Sequence, residues 1–339
     1  MTRRPRRPRA AAFSERGFHE WLKAGVRATR DVPLPIGDDA AALRLSGARV
    51  ALLTTDALVE GTHFLPSSPP RALGRTAAAV SLSDIAAKGG RPLALLLDLL
   101  LPPTTDPRWA RAVASGAREE MRRWGADLVG GDTKPAGQRA IIGTVFAEGD
   151  RRDLSPRSGA RPGDVVLTTG TVGRGGAAAW ALDTEGPTPR VLRSLLGAHP
   201  RLFEGRVLSR YAHAMVDTSD GLAEGARLIA EASHVRLEVD RDRLPVHASL
   251  RRIPEGEPRE SALFFGGDYE LLATVSRLKA NRLIERVRRV GGVATRIGTV
   301  RPGNGAFLLR AGRAEPMPDA GWRPFEWALA RAGASQPSG

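Results

Sequence analysis

The sequence predicts a two-domain protein of mixed α/β class, α+β in type. Three observations carry the prediction. At 339 residues the chain is too long for one ordinary hydrophobic core. Segments with strand patterning alternate with helical ones in both halves. Between the halves lies a polar break, Asp150-Arg151-Arg152-Asp153-Leu154-Ser155-Pro156. A hydrophobic content of 42% beside 26% charged residues is that of a globular chain.

The elements follow in order. Phe18, Trp21, Leu22 and Val26 have helical spacing and predict a helix within 13–30. Residues 50–54 read as a buried strand that ends at Thr55-Asp56. An alanine-rich helix is expected over 70–88, a buried strand over 93–101 and a helix over 107–124. A short strand at 127–130 delivers Asp132, and a β-branched strand covers 138–148. After the break, a strand at 164–168 leads through a glycine turn into a helix at 177–182. Helices at 190–213 and 221–232 flank Asp217. Strands at 235–239, 270–275, 294–300 and 306–310 and a basic helix at 278–290 complete the chain. The predicted organisation is a disordered Pro/Arg tail at 1–12, an N-terminal domain at 13–152 and a C-terminal domain at 153–339.

Composition excludes several functions. The net charge of +14 invites a nucleic-acid reading. Five of the 51 basic residues are the arginines of the tail, and the rest are dispersed among acids. Aromatics are only 5%, and no nucleic-acid-binding signature appears, so no specific nucleic-acid partner is expected. No apolar run reaches the roughly 20 residues needed to cross a bilayer, and nothing after the arginines resembles a secretory signal. Zero cysteines remove disulfides and thiolate chemistry together. The expectation is a cytoplasmic protein without a membrane partner.

The chemistry-bearing residues are acidic. Six turns rich in Gly, Ser or Thr carry them: Gly37-Asp38-Asp39-Ala40, Thr54-Thr55-Asp56, Ser81-Leu82-Ser83-Asp84, Gly130-Gly131-Asp132-Thr133, Asp217-Thr218-Ser219-Asp220-Gly221 and Gly266-Gly267-Asp268-Tyr269-Glu270. Each alone reads more readily as an Asx turn or helix cap than as a ligand. Together they are the parts of a multi-metal phosphate site, because near-paired carboxylates repel unless a cation lies between them. That argument is strongest for Asp38/Asp39 and for Asp217/Asp220. The glycine turn 170–176 fits neither the P-loop nor the dinucleotide pattern, and the protein-kinase motifs are absent. His63, taken alone, is a surface or capping imidazole.

In order and spacing these motifs resemble thiamine-monophosphate kinase. The resemblance is carried by Ile36-Gly37-Asp38-Asp39-Ala40-Ala41 and by the run from Thr54-Thr55-Asp56 to Gly61-Thr62-His63-Phe64. It continues through Ser81 to Asp84, Gly130 to Thr133, Ser158 to Asp164, Asp217 to Leu222 and Asp268-Tyr269-Glu270-Leu271. It covers residue 13 to the late 320s. The Asp turns are shared with a wider superfamily that includes aminoimidazole ribonucleotide synthetase, selenophosphate synthetase and a hydrogenase maturation enzyme.

The resemblance implies transfer of the γ-phosphoryl group of ATP to thiamine phosphate, giving thiamine diphosphate, with several Mg²⁺ ions and ATP as co-substrate. It implies an N-terminal ATP- and Mg-binding domain whose sheet pairs with its mate in a homodimer, and a larger C-terminal domain. Asp39, Thr54, Thr55, Asp56, Asp84, Asp132, Asp217 and Asp220 match its metal ligands. Gly131, Asp132, Arg157 and Ser219 match nucleotide contacts. His63 matches a substrate contact, and Trp322 or Phe325 would stack on the thiamine phosphate. No general base is needed, since the acceptor phosphate is already nucleophilic near neutral pH and the difficulty is bringing two polyanions together.

One motif departs from the family. Its Gly-Gly-Glu-Asp-Tyr-Glu-Leu reads Phe265-Gly266-Gly267-Asp268-Tyr269-Glu270-Leu271 here, which puts Gly267 where the family has a substrate-contacting Glu. Either Asp268 or Glu270 then takes over the contact, or the pyrimidine is held differently. A milder difference is Lys134 after Gly-Gly-Asp-Thr. The alternative readings are another ATP-using member of the superfamily and a non-catalytic Mg·ATP-binding paralogue.

Overall fold

The computed structural model describes residues 13–323. The expectations for the tail at 1–12 and for Phe325 lie outside the described residues. The first half builds a sheet from β1 (Ala41–Arg44), β2 (Arg49–Val59), β3 (Arg91–Leu101), β4 (Asp127–Gly130), β5 (Thr133–Pro135) and β6 (Ala140–Asp150). Its order is β1-β2-β6-β3-β4, with β5 also beside β3. The helices are α1 (Glu15–Gly25), α2 (Pro70–Ala87) and α3 (Pro107–Arg123). After a single 3₁₀ turn at Arg151–Asp153 come β7 (Val165–Thr169), β8 (Ala212–Asp217), β9 (Arg236–Asp240), β10 (Leu271–Val275), β11 (Ala294–Arg301), β12 (Gly305–Arg310) and β13 (Arg313–Pro316). They form a second sheet in the order β13-β12-β9-β11-β7-β10-β8. Its helices are α4 (Arg174–Glu185), α5 (Pro189–Leu195), α6 (Leu202–Leu208), α7 (Leu222–Ser233), α8 (Glu257–Phe264) and α9 (Arg277–Arg289). Among the described strands only β3 with β4 and β5, and β12 with β9, pair in parallel. This largely antiparallel pairing is the α+β pattern.

Two expectations are corrected, and four short elements were not foreseen. The second strand does not stop at Thr55-Asp56: its pairing with β6 continues through Asp56 opposite Gly143 to Val59 opposite Ala140. Residues 190–213 are not one helix. Gly197-Ala198-His199-Pro200 interrupts them, since proline lacks the N–H and restricts the residue before it, and the segment's end joins β8. The short elements β1, β5, α8 and β13 are too brief or too polar for periodicity to single out.

Helix α2 is the centre of the fold. Its small residues let neighbours approach to backbone contact. A Cβ on Gly74 would lie 1.8 Å from the Val113 carbonyl oxygen of α3, and one on Gly116 would lie 1.9 Å from that of Arg71. On the other side, a Cβ on Gly205 of α6 would meet the Ala86 carbonyl at 2.1 Å. Leu73, Ala77, Ala78, Leu82, Ile85 and Ala86 are buried in one cluster with Leu95 and Ile141 of the first sheet and Val165, Met215 and Leu271 of the second. The two sheets thus share a core through one helix. The first sheet's opposite face is open: Leu96 is 46% and Phe146 38% exposed on it, with Leu43 and Val129 beside them.

Candidate active site

Strand alternation decides which acids meet. On β2, Thr54 and Asp56 face α2, whereas Thr55 points to the open face and hydrogen-bonds Thr144, 2.9 Å away. The Thr54 hydroxyl donates to Asp84 Oδ2 at 2.5 Å, and the Ser81 hydroxyl donates to Asp56 Oδ2 at 2.8 Å. Across the junction, Ser83 donates to Asp217 Oδ2 at 2.7 Å, and Ser219 donates to Asp217 Oδ1 at 2.8 Å. Asp220 stands at the exposed rim next to them. A single turn of α2, Ser81 to Asp84, therefore joins Asp56 of one sheet to Asp217 of the other.

Asp38 and Asp39 do have a cation between them, but an organic one. Lys88, immediately after α2 and 1% exposed, brings Nζ to 2.5 Å from Asp38 Oδ1 and 3.0 Å from Asp39 Oδ2. Arg157 adds its guanidinium to Asp39 Oδ1, with Nε at 2.9 Å, and donates its backbone N–H to Asp38 Oδ2 at 2.8 Å. Sequence reasoning missed Lys88; a lysine closing an otherwise apolar Ile85-Ala86-Ala87 turn was the available signal.

The electrostatics divide the cluster. Burial alone would raise Asp39, yet Arg157 and Lys88 bring it below its ordinary value. Burial pushes Asp84 well above the carboxylate range, reinforced by Asp56, Asp217 and Asp39. Asp217 is raised to about 6 by burial and by Asp39. Such a site favours either protons or hard cations. All its ligating atoms are oxygens, and the buried Asp39 Oδ2 has only the Lys88 ammonium, 3.0 Å away, beside it. Among the described residues no three acidic or imidazole side chains converge on one point. That fits a hard divalent cation that takes one or two carboxylates and completes its shell with phosphate and water.

This arrangement has a measurable pH dependence. Asp84 and Asp217 hold protons in the folded state at a pH where the unfolded chain has released them. Without divalent ions, stability therefore falls as pH rises through about 6 and beyond, by on the order of 1 kcal/mol or more. Added Mg²⁺ is expected to raise the melting temperature more at pH 8 than at pH 6. Thermal melts in EDTA and in Mg²⁺ at both values check this; an equal Mg²⁺ effect at both would contradict it.

Beside the cluster opens a cavity whose lining includes His63, Leu192, Ser219, Phe265, Gly267, Tyr269 and Trp322. The Trp322 ring lies 6.0 Å from His63 and 5.6 Å from Phe265, edge-on to both. His63 Nδ1 accepts the Val59 N–H at 3.1 Å, which leaves Nε2 to carry the proton, and burial keeps the ring neutral. Phe265 and Tyr269 were not singled out as contacts in the sequence. Tyr269 is one of three non-glycine residues at positive φ (57°) among those described, a strain associated with functional positions.

In this structure Asp268 and Glu270 are engaged away from the cavity. Asp268 accepts N–H bonds from Gly173 at 2.6 Å and Gly175 at 2.9 Å, so it caps α4 and does not line the cavity. Glu270 is 3% exposed, accepts from Thr169 Oγ1 at 2.7 Å and pairs with Arg201 at 2.5 Å. Gly267 itself lies at the cavity wall at φ +75°. Asp132 is not gathered into the cluster either: it is exposed, pairs with Lys134 at 2.9 Å and accepts from Thr133 N–H, and its own N–H donates to Asp98 at 2.6 Å. Gly131 is needed for close approach, since a Cβ there would lie 1.9 Å from the Leu97 carbonyl.

The fold and site define a class. Residues 37–149 match the family described as AIR synthase related protein, N-terminal domain, and residues 161–309 match its C-terminal domain. The thiamine-monophosphate kinase of Pyrococcus horikoshii is 35% identical over 289 residues, covering 85% of this chain and 90% of that one. That of Salmonella typhimurium is 36% identical over 281 residues, covering 80% and 86%. Among solved structures, AaThiL complexed with AMPPCP and TMP superposes with a TM-score of 0.78 at 31% identity, covering 91% of this chain and 96% of that one. The chain belongs to the thiamine-monophosphate kinase family, a branch of the AIR synthase-related proteins.

Proposed function

We infer that this chain transfers the γ-phosphoryl group of ATP directly to the phosphate of thiamine phosphate, forming thiamine diphosphate and ADP without a covalent intermediate. The observation that carries the reading is the aromatic cavity of His63, Phe265 and Trp322 opening beside the buried acids. A flat cationic thiazolium suits aromatic walls, while the phosphate end is directed to the oxygen-rich side. The neutral His63, with its proton on Nε2, can donate to an anionic oxygen without needing to titrate.

Mg²⁺ belongs to the same reading, held by residues among Asp39, Thr54, Asp56, Asp84, Asp217 and Asp220; when bound it neutralises charge on the transferring phosphoryl. The chain's own part is positioning. Arg157, locked on Asp39, presents guanidinium donors at the cluster's edge; it and Ser219, whose hydroxyl donates to Asp217, are proposed nucleotide contacts. Gly131 and Asp132 are proposed nucleotide contacts from the sheet's open side.

A homodimer is proposed through that open sheet face, supported by exposed Leu96 and Phe146 on a surface that no helix among the described residues covers; sedimentation at the mass of one chain would exclude it. The proposed division is 13–152 and 153–339. No helix among the described residues is long and apolar enough to cross a membrane; a cytoplasmic location is part of the proposal, supported by the cysteine-free sequence.

The test is ADP release with each substrate varied. It should require thiamine phosphate, and Trp322→Ala should raise the KM for thiamine phosphate about tenfold, the scale of one lost aromatic contact, with the KM for ATP unchanged. ADP release indifferent to thiamine phosphate would overturn the reading.

A further inference from the structure

Lys88 is the most deeply buried cation described, and its surroundings are unusual. Nζ meets only oxygens: Asp38 Oδ1 at 2.5 Å, Asp39 Oδ2 at 3.0 Å, the Ser155 carbonyl at 2.8 Å and the Met215 carbonyl at 2.9 Å. Two carboxylates and two backbone carbonyls closing on one point are what a large monovalent cation seeks. An ammonium head is close to potassium in size and is a compact point charge. The four oxygens also come from three separate stretches of chain. Ser155 lies two residues before Arg157, Met215 two residues before Asp217, and Asp38 directly before Asp39. One ammonium therefore pins the three stretches that carry Arg157, Asp217 and Asp39.

We propose that Lys88 is a built-in monovalent cation, a positioning residue that holds these stretches together and makes the protein independent of free potassium or ammonium. Without it, two carboxylates would share a buried pocket with only Arg157 opposing them, and the carbonyls of Ser155 and Met215 would lose their donor. The cage would then offer a monovalent ion a ready site. The proposal rests on the proposed reaction only for a kinetic readout, and melting provides one that needs no substrate.

The test uses full-length Lys88→Met, which keeps the volume and removes the charge. In choline chloride its melting temperature should drop by roughly 10 °C, as expected when one partner of a buried charge group is deleted. Potassium or ammonium, but not tetramethylammonium, should restore roughly 3 °C or more at tenfold over the dissociation constant. Turnover of the variant should follow the same ions. The wild type, compared in potassium and choline at equal ionic strength, should change by less than about twofold in turnover and show no melting shift. If the variant does not fold in choline, the yield of refolded protein in ammonium against choline is the readout. A wild-type potassium requirement, or a variant that no monovalent ion stabilises, activates or refolds, overturns the proposal. Absence of thiamine-phosphate kinase activity in the wild type would instead fault the proposed reaction and leave the melting test standing.

Discussion

Asp84→Asn is expected to lower thiamine-phosphate-dependent ADP release by about a thousandfold, while the metal-free protein melts no lower than the wild type. The two halves of that result have one cause. Asp84 is held against Asp56, Asp217 and Asp39 at a cost to the fold, which is why its carboxyl is driven well above the ordinary range. Asparagine has the same shape, still accepts the Thr54 hydroxyl, and removes the repulsion. On the proposed mechanism the substitution also removes a Mg²⁺ ligand, and with it charge neutralisation on the transferring phosphoryl. Turnover and melting are measured on the same preparation. Near-normal turnover would remove Asp84 from the site, and an unfolded variant would make it structural.

Glu270→Gln should act in the opposite way. Its carboxylate is buried against Arg201, so the substitution leaves a partly buried guanidinium with only Glu204, 3.5 Å away, as counter-charge and should cost about 1–3 kcal/mol of stability. Asp268→Asn should cost about 1 kcal/mol through the weakened α4 cap. Neither should shift the thiamine-phosphate KM apart from the ATP KM. Denaturant unfolding together with steady-state kinetics separates the cases; a selective rise in the thiamine-phosphate KM would mean that one of these carboxylates does reach the substrate.

The acidic motifs were legible because Asp is expensive in regular structure and six Asp-bearing segments required a common reason, although 54–56 and 81–84 are not turns but lie inside β2 and α2. Which acids meet was less legible. Thr55 follows Thr54 and precedes Asp56, and only the period of a strand that continues past them sends its hydroxyl to the opposite face. Asp268 looked like a replacement for the missing Glu because neighbours in sequence look equivalent. The structure instead gives it the α4 cap, whose glycines lie more than ninety residues away in sequence. Lys88 and Arg201 find their partners across similarly long separations, which no local pattern encodes.

Helix α2 has a consequence for how the site is assembled. Ser81, Ser83, Asp84 and, just past its end, Lys88 engage Asp56, Asp217, Thr54 and the Asp38-Asp39 loop, groups that belong to both sheets. From Ser81 to Lys88 the helical rise is only about 10 Å. The spacing between these groups is therefore set by covalent bonds and helical pitch, as along a ruler, and does not depend on weak contacts closing two lobes. The entropy of gathering the carboxylates is spent when the chain folds, so binding of nucleotide and acceptor meets an assembly already in register.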